Sequence, residues 1–280
     1  MRIRHLLPIL LAPWLFTAAH ANPYETTLKN GLRIIVKEDR RAPTAVQMVW
    51  YRIGSMDEVD GASGVAHVLE HMMFKGTPSV GPGEFNKRVA AAGGRDNAFT
   101  SRDYTAYFQQ VPKEKLEEMV QLEADRMRHL NVDAKEFEQE IKVVMEERRM
   151  RTDDNPQSKL FEQMNAVAFQ AHPYRRPIIG WMNDLETMTA ADAKAWYETW
   201  YVPNNAYVVI TGDVDHKAVF ELAEKYYGPL EGRALPVRKP QIDPTQEGTR
   251  RVNVKAPAEL PILIMAYKAP SLRDVDKDSD

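Results

Sequence analysis

One stretch organises the rest of this chain: Gly64-Val65-Ala66-His67-Val68-Leu69-Glu70-His71-Met72-Met73-Phe74. It contains the pattern H-x-x-E-H, with two histidines four residues apart. If the segment is helical, His67 and His71 project from one face, one turn apart, and Glu70 lies in the same arc. Two imidazoles placed in this way can share a zinc ion. Such a site still needs a third protein ligand, and a catalytic one also keeps a position open for water.

Apolar residues surround the motif on most sides of the predicted helix: Val65, Ala66, Val68, Leu69, Met72 and Met73. A helix of this kind is buried, and a buried helix carries three polar side chains only where they have partners. The order of the motif, with Glu70 beside the second histidine, is typical of inverzincins, the reverse of H-E-x-x-H. The competing interpretation is a pair of histidines in ordinary core or surface contacts, which this specific spacing argues against.

Composition limits the class of protein. The chain has 280 residues, 44% hydrophobic and 28% charged, which is typical of globular proteins. Its formal net charge of -3 argues against a dedicated nucleic-acid binder, so we expect no nucleic-acid partner. The absence of cysteine excludes disulfides and thiolate ligands, and it leaves His, Asp and Glu as metal ligands.

The N-terminus has the features of an export signal. Basic residues precede an apolar run over residues 6–18, and Ala19-His20-Ala21 forms a small-x-small cleavage site. Because the run is short and contains Pro8 and Pro13, a cleaved signal peptide over residues 1–21 is favoured over a membrane anchor. We therefore expect a mature protein without a membrane span, in a bacterial periplasm or secreted.

Strand and helix signals alternate along the mature chain. Residues 32–36 and 45–53 are predicted to form an antiparallel strand pair. Helices are predicted at residues 83–92, 115–130 and 134–151, followed by a strand at 207–212 and a helix at 218–227.

The segment over residues 97–108 is rich in Tyr, Phe and Thr with partial alternation, which predicts a strand or a strand pair. It is either an ordinary sheet strand or an exposed edge that pairs with an extended peptide.

The helix predicted at residues 134–151 offers candidates for the third ligand. Glu140 and Glu147 are seven residues apart, or two turns, and share one face beside apolar residues. A partly buried carboxylate needs a partner, and a metal ion is one. The competing interpretation is the acidic surface of a Glu-rich helix. Glu146 also competes with Glu147 as a ligand, but it faces about 100° away.

Three patterns together resemble the pitrilysin/insulinase family of zinc metallopeptidases, which includes the mitochondrial processing peptidases and bacterial periplasmic members. The patterns are G-x-x-H-x-x-E-H-M-x-F-K-G-T from Gly64, N-A-F-T-S-x-x-x-T-A-Y from Asn97, and E-x-x-x-x-V-x-x-E-E ending at Glu147. The resemblance covers nearly all of the chain from about residue 26 onward. It implies an α+β fold, with an antiparallel sheet flanked by helices.

The resemblance also implies roles for particular residues. The family's third zinc ligand lies 76 residues after the second histidine, and 147 − 71 = 76 points to Glu147. A supporting glutamate seven residues earlier corresponds to Glu140. Glu147 is favoured over Glu146 because it shares a face with Glu140.

A zinc-dependent endopeptidase acting on peptides or on small or unfolded proteins is the implied function. His67, His71 and Glu147 would hold Zn²⁺, and Glu70 would be the general base toward a metal-activated water. The peptide substrate would pair with the strand at Asn97, Ala98 and Phe99. The alternative is a peptide-binding or assembly subunit of the same fold that needs a partner chain or a second half; such partners typically lose the H-x-x-E-H residues, and this chain keeps them.

The domain organisation follows from composition and from the family's two homologous halves. Residues 23–230 are expected to form the catalytic domain, and residues 231–249, rich in Pro, Gly and charge, an interdomain linker. Segments 251–255 and 262–267 are predicted strands, so residues 250–280 are expected to begin a second homologous domain. We therefore expect a truncated version of a longer protein, or a homologous partner chain or dimer.

Overall fold

A six-stranded mixed sheet forms the centre of the fold. The computed structural model describes residues 23–269, so the predicted signal peptide lies outside the described residues. The strands are β1 (Tyr24–Thr27), β2 (Arg33–Glu38), β3 (Thr44–Tyr51), β4 (Arg95–Thr100), β5 (Thr105–Pro112) and β6 (Ala206–Gly212). Their spatial order is β1-β2-β6-β3-β5-β4.

Neighbouring strands run antiparallel except for β2 and β6, which are parallel. The predicted α+β class is confirmed, and the sheet is mixed by virtue of this one pair. The predicted pairing of residues 32–36 with 45–53 is wrong, because β6 inserts between β2 and β3. Alternate residues of β6, Val208 and Ile210, are buried, and an apolar strand of this kind is stabilised in the middle of a sheet. Local patterns do not reveal such a distant insertion.

Helices cover one face of this sheet and the cleft beside it: α1 (Val65–Met72), α2 (Glu84–Ala91), α3 (Leu116–His129), α4 (Ala134–Arg148), α5 (Pro156–Ala168), α6 (Met182–Thr187), α7 (Ala190–Trp200) and α8 (His216–Tyr226). A π-helical turn, Arg149–Asp153, continues α4. The predicted helices are confirmed to within a few residues. Helices α3 and α8 pack on the sheet, whereas α1 lies against α4, α7 and β4.

The main core lies between the sheet and these helices. It joins Ile34 and Val49 of the sheet to Leu69 of α1 and Met127 of α3. The hydroxyls of Tyr107 and Tyr201 meet at 2.8 Å inside this core, which satisfies both buried groups. Residues Val68, Leu69 and Met72 anchor helix α1 in this core.

Residues 95–112 form a hairpin, which confirms the strand-pair interpretation. β4 and β5 pair antiparallel from Arg95↔Gln110 to Thr100↔Thr105. β4 is the last strand in the spatial order, so its outer edge has no partner strand among residues 23–269.

Beyond Leu230 the described chain, up to residue 269, contains no helix or strand. The predicted strands at 251–255 and 262–267 are therefore wrong, because no strand among residues 23–269 lies beside them to pair with their backbone groups. The chain after Leu230 is nevertheless fixed at several points. Asp243 accepts the backbone N–H groups of residues 170–172, and Arg250 donates to the carbonyl oxygens of residues 167 and 168.

Candidate metal centre

The N-terminus of α1, the helix that carries both histidines, is fixed by close backbone contacts. Gly64 has a φ of +91°, in the left-handed region that favours glycine, and a Cβ there would lie 2.7 Å from the carbonyl oxygen of Ile179. The Glu58 carboxylate accepts the N–H groups of Gly64 and Ala66, both at 2.9 Å. It satisfies donors that have no partner within the first turn of the helix. These contacts fix the position of α1 and therefore of the H-x-x-E-H side chains.

Three side chains from α1 and α4 converge on one point. Nε2 of His67 lies 3.8 Å from Oε2 of Glu147, and Nε2 of His71 lies 3.4 Å from the same oxygen. All three potential ligand atoms lie within 4.8 Å of one another. Zinc bonds of about 2.0–2.1 Å in a tetrahedral site place neighbouring ligand atoms about 3.4 Å apart. The two imidazoles and the carboxylate therefore fit a zinc ion.

Glu140 contacts the second histidine from the far side. Its Oε2 lies 3.1 Å from Nδ1 of His71, and its Oε1 lies 2.5 Å from Nζ of Lys75. When Nδ1 of His71 donates its proton to Glu140, the lone pair on Nε2 is directed toward Glu147 and His67. In that tautomer, Nε2 of His71 would be available to a metal ion.

The pKa values of the two histidines are shifted in opposite directions. Burial and the neighbouring His71 lower the pKa of His67 to about 4, so this imidazole is neutral near pH 7. Burial alone would also lower the pKa of His71, but hydrogen bonds to Glu140 and Glu147 raise it to about 9. Because a metal ligand must be deprotonated, a metal ion held by His71 would displace a proton from it.

Glu70 faces the same cleft from α1. The hydroxyl of Thr100, at the end of β4, donates to Oε2 of Glu70 at 2.5 Å. Among the described residues, no hydrogen bond occupies the other carboxylate oxygen. Burial raises the pKa of Glu70 above its ordinary value, although the Thr100 hydroxyl opposes this. The free oxygen is therefore suited to accepting a proton.

The cleft above the cluster has a volume of about 660 Å³ and is open to solvent. Asn97, Ala98 and Phe99 of the edge strand line it together with the histidines and Glu70. An unpaired strand edge is a template for an extended peptide. The cleft thus places an edge strand beside the cluster of His67, His71 and Glu147.

The structure brings five of the predicted site residues together: His67, Glu70, His71, Glu140 and Glu147. The competing ligand, Glu146, instead pairs with Arg149 at 3.0 Å with most of its side chain exposed. Sequence reasoning missed Thr100 and Arg151, which contact Glu70 and Glu147. The spacing of four residues between Glu147 and Arg151 is a signal that predicts this ion pair. The Thr100 contact depends on tertiary structure and has no local signal.

Glu38, Asp215 and His216 form a second group of metal-binding residue types. Asp215 caps α8, and Glu38 accepts both the backbone N–H and Nδ1 of His216, at 3.0 and 2.8 Å. These contacts account for the cluster through ordinary helix capping.

Comparison with known families identifies the class. Residues 33–181 match the model described as Insulinase (Peptidase family M16), and residues 187–280 match the Peptidase M16 inactive domain. The chain belongs to the M16 peptidase family, so the predicted resemblance is confirmed.

Individual relatives support a zinc protease. Zinc protease PqqE of Helicobacter pylori is 36% identical over 286 residues, covering 99% of this chain and 64% of that protein. The crystal structure of a protease from Helicobacter pylori has a TM-score of 0.78 and 38% identity, over 81% of this chain and 55% of that one. The first half of the periplasmic protease PqqL from Escherichia coli has a TM-score of 0.73 and 25% identity, over 81% and 50% of the two chains.

The chain spans between 50% and 64% of the length of these three relatives. Within residues 23–269, none of the helices combines the length and apolarity needed to cross a membrane.

Proposed function

We propose that this chain carries the metal centre of a zinc-dependent endopeptidase, with His67, His71 and Glu147 as the ligands of Zn²⁺. The observation that carries the proposal is the convergence of their ligand atoms within 4.8 Å, in a cleft that also exposes Glu70. Two imidazoles and one carboxylate form a donor set used by catalytic zinc sites, and they leave one position open.

In the proposed mechanism, the metal ion and Glu70 have separate chemical roles. Bound zinc supplies Lewis-acid chemistry, which acidifies water and polarises the scissile carbonyl group. The free oxygen of Glu70 takes the proton that the attacking water loses, and it then gives that proton to the nitrogen of the departing amine. Burial raises the pKa of Glu70, which makes its carboxylate a stronger base toward that water. The Thr100 hydroxyl holds the carboxylate in place.

The substrate proposed is a peptide, or a small or unfolded protein, in an extended conformation. The peptide backbone would pair with the outer edge of β4 at Asn97, Ala98 and Phe99. This pairing would place the peptide beside Glu70. Glu140 would act by holding the His71 ring in its ligating orientation.

A second candidate is a peptide-binding or assembly subunit that requires a homologous partner chain, a dimer or a second half for catalysis. Two observations favour it: residues 187–280 match a model described as an inactive domain, and the solved relatives are about twice as long as the part this chain covers. In either case we propose residues 23–230 as the zinc-peptidase domain, 231–249 as a linker and 250–280 as the start of a second domain.

We also propose that the protein is exported to the periplasm or secreted. The support is the signal-like sequence of residues 1–21 and the description of one structural relative as periplasmic.

Cleavage of a quenched fluorescent peptide by the full chain tests the proposed activity. Glu70→Gln should retain zinc but lower the cleavage rate by about 10²–10⁴-fold, the usual contribution of a general base. Glu146→Gln is the matched control and should cleave normally. Unchanged cleavage by Glu70→Gln would refute the peptidase role assigned to this residue. Zinc binding with cleavage only after a second polypeptide is added would favour the second candidate.

A further inference from the structure

Four arginine side chains line the cleft beside the metal-binding cluster: Arg102, Arg151, Arg175 and Arg176. The last two share the carboxylate of Asp60, and Arg151 pairs with Glu147. Among residues 23–269, Arg102 alone of the four has no carboxylate within ion-pair distance. A partly buried cation without a counter-charge is costly unless a ligand supplies one.

Arg102 is held at the rim by an aromatic ring. It lies in the turn between β4 and β5, and its guanidinium stands 5.1 Å from the centre of the Tyr174 ring. The hydroxyl of Tyr174 donates to Asp103 at 2.6 Å, which fixes the ring. Stacking uses the face of a guanidinium and leaves its N–H donors at the edge. Within the described residues these donors make no hydrogen bond, and Nε is buried without a partner.

The acidic groups of the cleft do not neutralise this charge. Glu147 belongs to the metal-binding cluster, and Glu70 is held by Thr100. Glu162 receives two hydrogen bonds from Arg148, at 2.8 and 2.9 Å. The neighbouring Asp103 accepts from Tyr174 instead. The guanidinium of Arg102 is therefore available to a carboxylate of a bound ligand.

We propose that Arg102 is a specificity-determining residue that selects peptides with an acidic side chain near the scissile bond. The proposal rests on the proposed function, in which an extended peptide lies along β4. Arg102 follows Thr100 by two residues, which separates them by at most roughly 7 Å, and Thr100 contacts the proposed base Glu70. A carboxylate of the peptide can accept two parallel hydrogen bonds from the guanidinium.

Binding of uncleaved peptides tests the proposal. The full chain with Glu70→Gln is loaded with zinc and titrated with fluorescent peptides of one uncharged sequence, in which a single Glu is moved along the chain. A matching set carries Gln at the same positions. Fluorescence anisotropy should show one position where Glu improves affinity about tenfold over Gln, the scale of a hydrogen bond to a charged group.

Variants of Arg102, made in the Glu70→Gln chain, test whether Arg102 causes the preference for Glu. Arg102→Gln should remove the Glu preference, and Arg102→Glu should replace it with a preference for Lys at the same position, a gain that misfolding cannot produce. Arg33→Gln, a charge change on β2, is the control and should keep the Glu preference.

The outcomes separate this proposal from the one on which it rests. Peptide binding without any Glu preference, or a preference that survives in Arg102→Gln, overturns the role of Arg102 and leaves the peptidase proposal standing. Failure of every peptide to bind contradicts the proposed function as well.

Discussion

Two regions of the chain differ in how their apolar residues are partnered. In α1, Val68, Leu69 and Met72 are fully buried against the sheet and the neighbouring helices. In residues 251–269, Leu263 and Tyr267 are 84% and 86% exposed, with no strand or helix to organise them. The apolar side chains of α1, the helix with the H-x-x-E-H motif, pack against other described residues, whereas Leu263 and Tyr267 of the later segment are largely exposed. Folding of the site should therefore depend on contacts around α1 and little on residues 251–269.

The substitution with the largest expected effect is at Arg148, a residue of α4 that contacts the loop before α6. Arg148 is buried, pairs with Glu162 through two hydrogen bonds, and donates to the carbonyl oxygen of Gly180 at 2.8 Å. Arg148→Gln leaves the largely buried Glu162 carboxylate without its cation and should lower the free energy of unfolding by about 3–5 kcal/mol. Urea unfolding measures the loss.

Arg149→Gln is the matched control for this experiment. Arg149 follows directly in sequence, and its ion pair with Glu146 is exposed, so the expected cost is about 0–1 kcal/mol. Equal effects of the two substitutions would show that α4 is not held through Arg148.

The second test addresses the start of α1. Gly64→Ala places a Cβ in a left-handed backbone and 2.7 Å from the carbonyl oxygen of Ile179. We expect a loss of about 2–3 kcal/mol in the free energy of unfolding, measured by thermal or urea denaturation. Gly61→Ala is the control because Gly61 also has a φ of +91°, but a Cβ added there would lie within 4 Å of no described atom outside the adjacent residues. It should cost less, since only the backbone strain remains.

The third test is the pH dependence that Glu58 imposes on the same helix terminus. Burial raises the pKa of Glu58 to about 8, against the hydrogen bonds from Gly64 and Ala66, which lower it. A folded-state pKa above the ordinary 4.5 gives stability that is fully present below pH 4.5 and is lost as pH rises through 8. Glu58→Gln should remove a fall on the order of 3 kcal/mol between pH 5 and pH 8, measured as the difference in unfolding free energy between the two proteins. A difference that does not change with pH would show that Glu58 is ionised throughout.

The smallest expected effect comes from the later segment. Leu263→Ser replaces an exposed apolar side chain and should change the free energy of unfolding by less than about 0.5 kcal/mol. Leu69→Ser, at a fully buried position of α1, is the contrasting variant and should cost several times more. A destabilising effect of Leu263→Ser comparable to that of Leu69→Ser would remove the distinction between the two regions.

Local geometry explains why much of the site was predictable. His67, Glu70 and His71 lie on one helix, where a spacing of three or four residues determines which side chains share a face. The same argument brought Glu140 and Glu147 onto one face of α4. The match of these residues to a known family then joined the two helices.

Contacts between distant parts of the chain were not predictable in this way. β6 inserts between β2 and β3 from more than 150 residues away, and no local pattern reveals its neighbours. The hydrogen bond from Thr100 to Glu70 and the clamp of Asp243 on residues 170–172 likewise depend on tertiary packing. The segments 251–255 and 262–267 have strand-like sequences, but strands require a partner edge that the described residues do not provide.

The zinc content of two neighbouring variants tests the central claim most directly. Glu147 and Glu146 are adjacent on α4, but Glu147 faces the two histidines, whereas Glu146 pairs with Arg149. After dialysis at limiting free zinc, the wild-type chain and Glu146→Gln should each retain one zinc ion per chain, and Glu147→Gln should lose it. Retention of zinc by Glu147→Gln, or its loss from Glu146→Gln alone, would contradict the metal centre proposed for this protein.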